Sequence, residues 1–177
     1  RQPYGHNAPM DRRPLRVGLI GLGDIAAKAY LPVLAADAGV LPVLVTRDPA
    51  RRAALQAAWR IEEAHPTVEQ AIADAAPLDA AFVHAATVAH AGIGAALIDA
   101  RVPTFIDKPL ALSEAETRDL VESARAAHVS LAVGFNRRFA PSYAQVAQWT
   151  GLDTVVLTKN RVALPDAARQ VIFDDFV

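Results

Sequence analysis

The sequence contains no cysteine. Disulfides, thiolate catalysis and cysteine metal sites are excluded together, and a reducing, cytoplasmic compartment suits such a chain. Long apolar runs are also missing. No stretch reaches the roughly 18 residues of a membrane span, so no membrane partner is expected. Nor is there an excess of either charge: 18 basic residues face 19 acidic ones, for a formal net charge of −1. That balance gives no general attraction to nucleic acid or anionic lipid. No H-x-x-x-H pair or carboxylate cluster suggests a metal. The N-terminal stretch RQPYGHNAPMDRRPL is polar and lacks the apolar segment of a signal peptide. Its methionine, Met10, reads as the natural start, with residues 1–9 a tag remnant or leader.

What is present is apolar and rhythmic. The 177 residues are 53% apolar and 21% charged, enough for one folded domain and the start of a second. Short apolar runs alternate with Ala-rich segments. LRVGLI (15–20) reads as a strand buried on both faces, and VLPVLVT (40–46), AAFVHA (80–85), VPTFI (102–106) and VSLAVG (129–134) read as four more. Helices are expected over 24–37, bent at Pro32, and over 48–59, with Asp48 as N-cap and Pro49 in the first turn. Three more are expected over 67–75, 88–100 and 113–128, the first and last opened by the capping boxes Thr67/Gln70 and Ser113/Glu116. A final helix over 141–151 ends at Gly151. This alternation predicts an α/β fold, a doubly wound parallel sheet. The rhythm changes at DTVVLTKNRV (153–162), which alternates like a strand with one wet face. The organisation expected is a flexible leader over 1–14, a dinucleotide-binding domain over 15–151, and only the beginning of a second α+β domain over 152–177.

GLGDIA (21–26) follows the first strand and opens the first helix. It fits G-x-G-x-x-A, with Gly21 for the tight turn, Gly23 for close approach of a pyrophosphate and Ala26 for helix packing. Strand–turn–helix context makes the motif specific, and the helix N-terminus adds N–H groups for phosphate. Asp24 and Ile25 lie in the same turn. At the end of the second strand an acidic residue would hold the ribose hydroxyls of NAD. Thr46 and Arg47 stand there instead, with Arg51 and Arg52 one turn on. A neutral residue beside an arginine fork favours NADP over NAD.

Lys108 lies two residues past the fourth of these strands, at the sheet edge where α/β folds bind ligands. Pro109 stiffens its exit, and a cis Lys-Pro bond is possible. A positioned lysine can pass a proton to or from a carbonyl oxygen. Asp107 can orient it or cap the next segment. On these features alone an ordinary surface lysine remains the simpler reading.

The stretches RVGLIGLGDIA, DAAFVHAATVAH, VPTFIDKPLALSEAE and AVGFNRRF, from Arg16 to Phe139, resemble the N-terminal part of the Gfo/Idh/MocA oxidoreductase family in order and spacing. The family's E-K-P motif stands here as Asp107-Lys108-Pro109. The resemblance implies a Rossmann-type domain, an NAD(P) cofactor, and Lys108 beside the nicotinamide as the proton-transfer group. It places Asn136 and Arg137, within GFNRRF, in a loop lining the cofactor and substrate cleft. Where relatives commonly read A-T-P this chain has His84-Ala85-Ala86, so Ala85 is a candidate cofactor contact. His90 matches a histidine common in the family and is expected in the cleft wall, bonding backbone rather than reacting. His84 reads as a cofactor contact or, slightly favoured, a satisfied core histidine. The family's D-x-x-x-H would begin at Asp174, a second catalytic candidate, with its histidine falling after Val177. Relatives continue through a second domain that supplies substrate contacts and usually an oligomer interface. The resemblance therefore implies a dehydrogenase of a sugar, polyol or similar small molecule, homo-oligomeric at full length, of which this chain alone is not competent for turnover. The alternative is a nucleotide-binding regulatory module without chemistry.

Overall fold

The computed structural model describes residues 13–151, 153, 154 and 156. The expected leader, most of the strand expected over 153–162, and Asp174 lie outside the described residues. Six parallel strands form one sheet in the order β3-β2-β1-β4-β5-β6. They are β1 (Leu15–Ile20), β2 (Val40–Val45), β3 (Ala64–His65), β4 (Ala80–Val83), β5 (Thr104–Ile106) and β6 (Leu131–Val133). The order reverses between β1 and β4, and there a doubly wound sheet opens a crevice at its carboxyl edge. This is the expected doubly wound α/β architecture, with one strand more than the sequence suggested. β3 is only two residues long, too short for an alternating pattern to show.

Among the described residues there are six α-helices, α1 (Leu31–Ala36), α2 (Pro49–Trp59), α3 (Val68–Ile72), α4 (His90–Asp99), α5 (Glu114–Ala127) and α6 (Pro141–Val146), of which the first five supply buried residues to the two faces. Successive side chains of a strand point to opposite faces, and the buried residues divide accordingly. Sixteen, among them Ile20, Val43, Val83, Ile106, Leu97 and Leu120, form a core that includes residues of α3, α4 and α5. Seven, including Leu19, Leu44, Leu31 and Leu55, form a smaller core with α1 and α2. Gly94 lets α4 lie close to its neighbours: a Cβ there would stand 2.9 Å from Ile106 Cδ1.

Local chemistry sets the helix ends. Asp48 accepts from the Arg51 N–H at 3.0 Å, and Ser113 and Glu116 complete both halves of their capping box. At Thr67 the structure shows the threonine half, accepting from Gln70 N–H at 3.3 Å. Pro32 does not simply bend the first helix. A π-helical turn, Ala26–Tyr30, precedes α1, and the Leu31 N–H bonds to the Ala26 carbonyl five residues back. Proline has no N–H to give and its ring crowds the carbonyl four residues back, so a wider turn accommodates it. The last helix is shorter than expected. α6 stops at Val146 and buries no residue, so nothing holds further turns in place. Gly151 adopts the left-handed φ of 73° beyond it. No helix among the described residues is long and apolar enough to cross a membrane.

Candidate functional site

β1 ends in the glycine turn because its neighbour comes too close for any side chain. Gly21 has φ 82°, and a Cβ there would stand 2.4 Å from the Ala85 nitrogen and 2.7 Å from the His84 carbonyl carbon. Its N–H donates to the Val45 carbonyl at 2.9 Å, tying the turn to β2. Gly23 differs: a Cβ there would meet nothing within 4 Å. The space above it is open to an incoming group. The helix begins at once, with Ala27 N–H donating to Gly23 O at 3.0 Å. The first N–H groups of such a helix have no intrahelical partner and suit an anion. Open space over a glycine, beside a helix start at the switch point of the sheet, fits the pyrophosphate of a dinucleotide.

The turn faces a cleft of about 610 Å³ over the carboxyl ends of β1, β2 and β4, within the usual range for small-molecule sites. Of the residues predicted from the sequence, Gly21, Thr46, Arg47 and Ala85 line it. Thr46 is pinned by its N–H to the His65 carbonyl at 3.1 Å, and Arg47 is exposed. Arg51 reaches back to the glycine turn, its Nε donating to Leu22 O at 3.0 Å. Arg52 donates to Thr46 O at 2.7 Å. Asp24 and Ile25 sit exposed at the helix start. Asp24 pairs with Lys28 at 2.6 Å, and that contact lowers the Asp24 pKa. The cleft has a wall the sequence did not reveal. Thr67 and Glu69, delivered by β3 and the start of α3, close its far side.

His90 does not line the cleft but lies behind it, next to the lining residue Ala89, and is 1% exposed. Nδ1 lies 2.8 Å from the Pro109 carbonyl and Nε2 lies 2.9 Å from the Ala85 carbonyl. The ring thus joins the loop after β4 to the turn after β5, bonding backbone as expected. The Lys108–Pro109 bond is cis. Asp107 Oδ1 accepts from the Lys108 N–H at 2.8 Å, and Asp107 N–H donates to Val83 O at 2.9 Å. Burial pushes the Asp107 pKa up. The nearby His84 imidazole, the hydrogen bond from the Lys108 amide and the Lys108 charge more than offset this and leave it below the ordinary 3.8. Asn136 and Arg137 follow β6 in a 3₁₀ turn, Asn136–Phe139, and do not line the cleft beside the glycine turn.

His84 is not the satisfied core histidine that the sequence favoured. Its ring is buried, yet among the described residues neither nitrogen has a hydrogen-bond partner. The sequence showed its position but not its isolation, which arises from aromatic neighbours distant in the chain. Elsewhere, Glu63, His65 and Asp74 bring metal-capable atoms within 4.8 Å of one another. Arg16 bonds Glu63 and stands 3.8 Å from Asp74, so a fixed guanidinium already supplies positive charge there.

A family described as "Oxidoreductase family, NAD-binding Rossmann fold" matches residues 15–135. YceM of Salmonella typhimurium, whose name carries an oxidoreductase assignment without a substrate, is 37% identical over 170 residues, 93% of this chain and 54% of that protein. Myo-inositol dehydrogenase Hyg17 of Streptomyces leeuwenhoekii is 37% identical over 134 residues, 75% of this chain and 40% of that protein. A crystal structure of a Gfo/Idh/MocA family oxidoreductase from Vibrio cholerae superposes with a TM-score of 0.78 at 40% identity, covering 92% of this chain and 53% of that one. The chain spans about half the length of these relatives or less. With its glycine turn, switch-point cleft and post-β5 lysine all within or beside the matched span, the chain belongs to the Gfo/Idh/MocA oxidoreductase family and carries its NAD-binding Rossmann fold.

Proposed function

We propose that the protein containing this chain is a nicotinamide-dependent dehydrogenase of a sugar, polyol or similar small molecule, and that this chain holds its cofactor. The observation that carries the reading is the open space over Gly23 at the sheet's switch point, two residues from Gly21, which lines one cleft with Thr46 and Arg47. Gly21 and Gly23 admit the pyrophosphate, and Asp24 and Ile25 shape the helix start beside it. Ala85 and the backbone tied by His90 wall the cleft towards β5. When bound, the nicotinamide supplies or accepts the hydride. Lys108 gives a proton to the substrate oxygen, or takes one from it, as the adjacent carbon changes oxidation state. Asp107 fixes the lysine's turn through its amide. Asn136 and Arg137 face the substrate side, and Asp174 is the second candidate for proton transfer. The polyol class rests on likeness to the inositol dehydrogenase.

Within the nicotinamide class, NADP suits the cleft better than NAD. Thr46 brings no negative charge against a 2′-phosphate, and Arg47 stands exposed at the rim with Arg51 behind it. Glu69 is an acidic group in the same lining and opposes this preference.

Fluorescence titration of the chain and of the full-length protein with NADPH and with NADH tests the reading. Tighter NADPH, with Arg47→Ala weakening NADPH about tenfold and NADH little, supports it; tenfold is about 1.4 kcal/mol. Tighter NADH sinks the 2′-phosphate argument alone. Binding by neither protein sinks the dinucleotide site. In the full-length enzyme, Lys108→Met should lower kcat by about 10² or more with nucleotide affinity retained.

A further inference from the structure

Past the end of β4 the chain turns a histidine into the interior. The His84 side chain is fully buried. It lies against Tyr30, ring centroids 4.0 Å apart and planes inclined by 46°. Phe82 and Phe105 stand at 6.4 and 6.3 Å. An imidazole enclosed by aromatic rings loses its hydration, and a nitrogen left without a partner there is costly. Native structures keep few such groups, and those they keep call for an explanation.

The charged group that His84 faces is Asp107. Nδ1 stands 3.6 Å from Asp107 Oδ2, within ion-pair range though longer than a hydrogen bond. Contacts of this kind are often long before ligand binds and tighten in the complex. Oδ1 of the same carboxylate is already engaged by the Lys108 amide. The third side is left clear by Gly134, where a Cβ would stand 3.1 Å from Oδ1 and 2.9 Å from Phe105 Cζ. Asp107 therefore has the lysine's backbone on one oxygen, a buried imidazole near the other, and a glycine that leaves it room. Tyr30 shares this neighbourhood: burial and, to a lesser degree, the Asp107 charge raise its pKa.

We propose that His84 is a positioning residue that acts on Lys108 through Asp107: the imidazole engages Oδ2, the carboxylate keeps Oδ1 on the Lys108 amide, and the lysine is presented from a fixed turn. The relevance to turnover rests on the reading of Lys108 as the proton-transfer group. The pairing itself does not.

The test uses the full-length protein and needs neither cofactor nor substrate. Acylation of Lys108 by acetic anhydride at fixed pH is followed by peptide mass spectrometry, with exposed Lys28 as the internal reference. His84→Phe keeps a ring among the aromatic neighbours and removes both nitrogens. His84→Asn keeps an N–H donor close to the place of Nδ1. His84→Phe should shift the Lys108 rate by about threefold or more, and His84→Asn should stay within about twofold of wild type. In an Asp107→Asn background, His84→Phe should change nothing further, because the route through the carboxylate is gone. A wild-type rate in folded His84→Phe overturns the proposal, as does a full additive effect in the double variant. Should His84→Phe not fold, long-range ¹H–¹⁵N spectra of wild type and Asp107→Asn decide. A proton on His84 Nδ1 whose resonance moves in Asp107→Asn supports the pairing, and an unmoved resonance overturns it. The NADPH titration fails or succeeds independently, so loss of the cofactor reading and loss of this pairing are told apart.

Discussion

A methyl group added at Gly21 would stand 2.4 Å from the Ala85 nitrogen, while one added at Gly23 would meet nothing within 4 Å. The two glycines of one motif therefore do different work, and stability separates them. Gly21→Ala combines a left-handed φ with a backbone clash and should cost about 2 kcal/mol or more in urea unfolding. Gly23→Ala should stay within about 0.5 kcal/mol of wild type yet weaken dinucleotide binding about tenfold. Equal melting temperatures for the two variants would refute the distinction. Asp107 gives a pH signature at the same scale. Its folded pKa lies below the ordinary 3.8, so its contribution is complete above that value and disappears as pH falls through the lower folded one. The stability gap between wild type and Asp107→Asn should be larger at neutral pH than at strongly acid pH. A gap that does not vary with pH would contradict this. The glycine turn was legible in the sequence because it answers a local backbone demand, whereas Lys108 stood out only through the family resemblance. The state of His84 was not, since its aromatic neighbours Tyr30 and Phe105 come from distant parts of the chain.

Elements show the same division. α5 could be read in full because its cap, Ser113 with Glu116, lies within its own first turn. β3 could not, since two residues carry no period and the strand exists only by pairing with Leu44 and Val45. With it went the far wall of the cleft at Thr67 and Glu69. What ties the start of β3 to β1, at the opposite edge of the sheet from the cleft, is an ion-pair group. Arg16, buried on β1, bonds Glu63 ahead of β3, with Nη1 3.0 Å from the Pro77 carbonyl. Arg16→Met should cost about 2 kcal/mol, moderated because Glu63 is partly solvated. Adding Glu63→Gln should recover part of that loss, since it removes the stranded charge. A double-mutant cycle in chemical denaturation reads the coupling, and simple additivity would exclude it.

For the whole molecule, the parallel sheet and its order of crossovers followed from the strand–helix rhythm, which right-handed connections leave little freedom to rearrange. The apolar surface after β6 did not. Phe139 is 79% exposed and Trp149 56%, beside an α6 that buries nothing. Protection from amide exchange should fall outward from the centre. Amides of β1, β2 and β4 should be slowest, and those of β3 and β6 faster by about tenfold or more, or about 1.4 kcal/mol. Uniform protection across the six strands would argue against this. The unequal division of the core between the two faces has a mechanical consequence. The side carrying α1 and α2 has seven core residues against sixteen, and the glycine turn belongs to that thinner side. A dinucleotide seated on the turn would act as a keystone, clamping strand ends whose own packing is sparse. At a hundredfold excess over its dissociation constant it would add about 2.7 kcal/mol, so the rigidity of this domain would track the supply of such a dinucleotide.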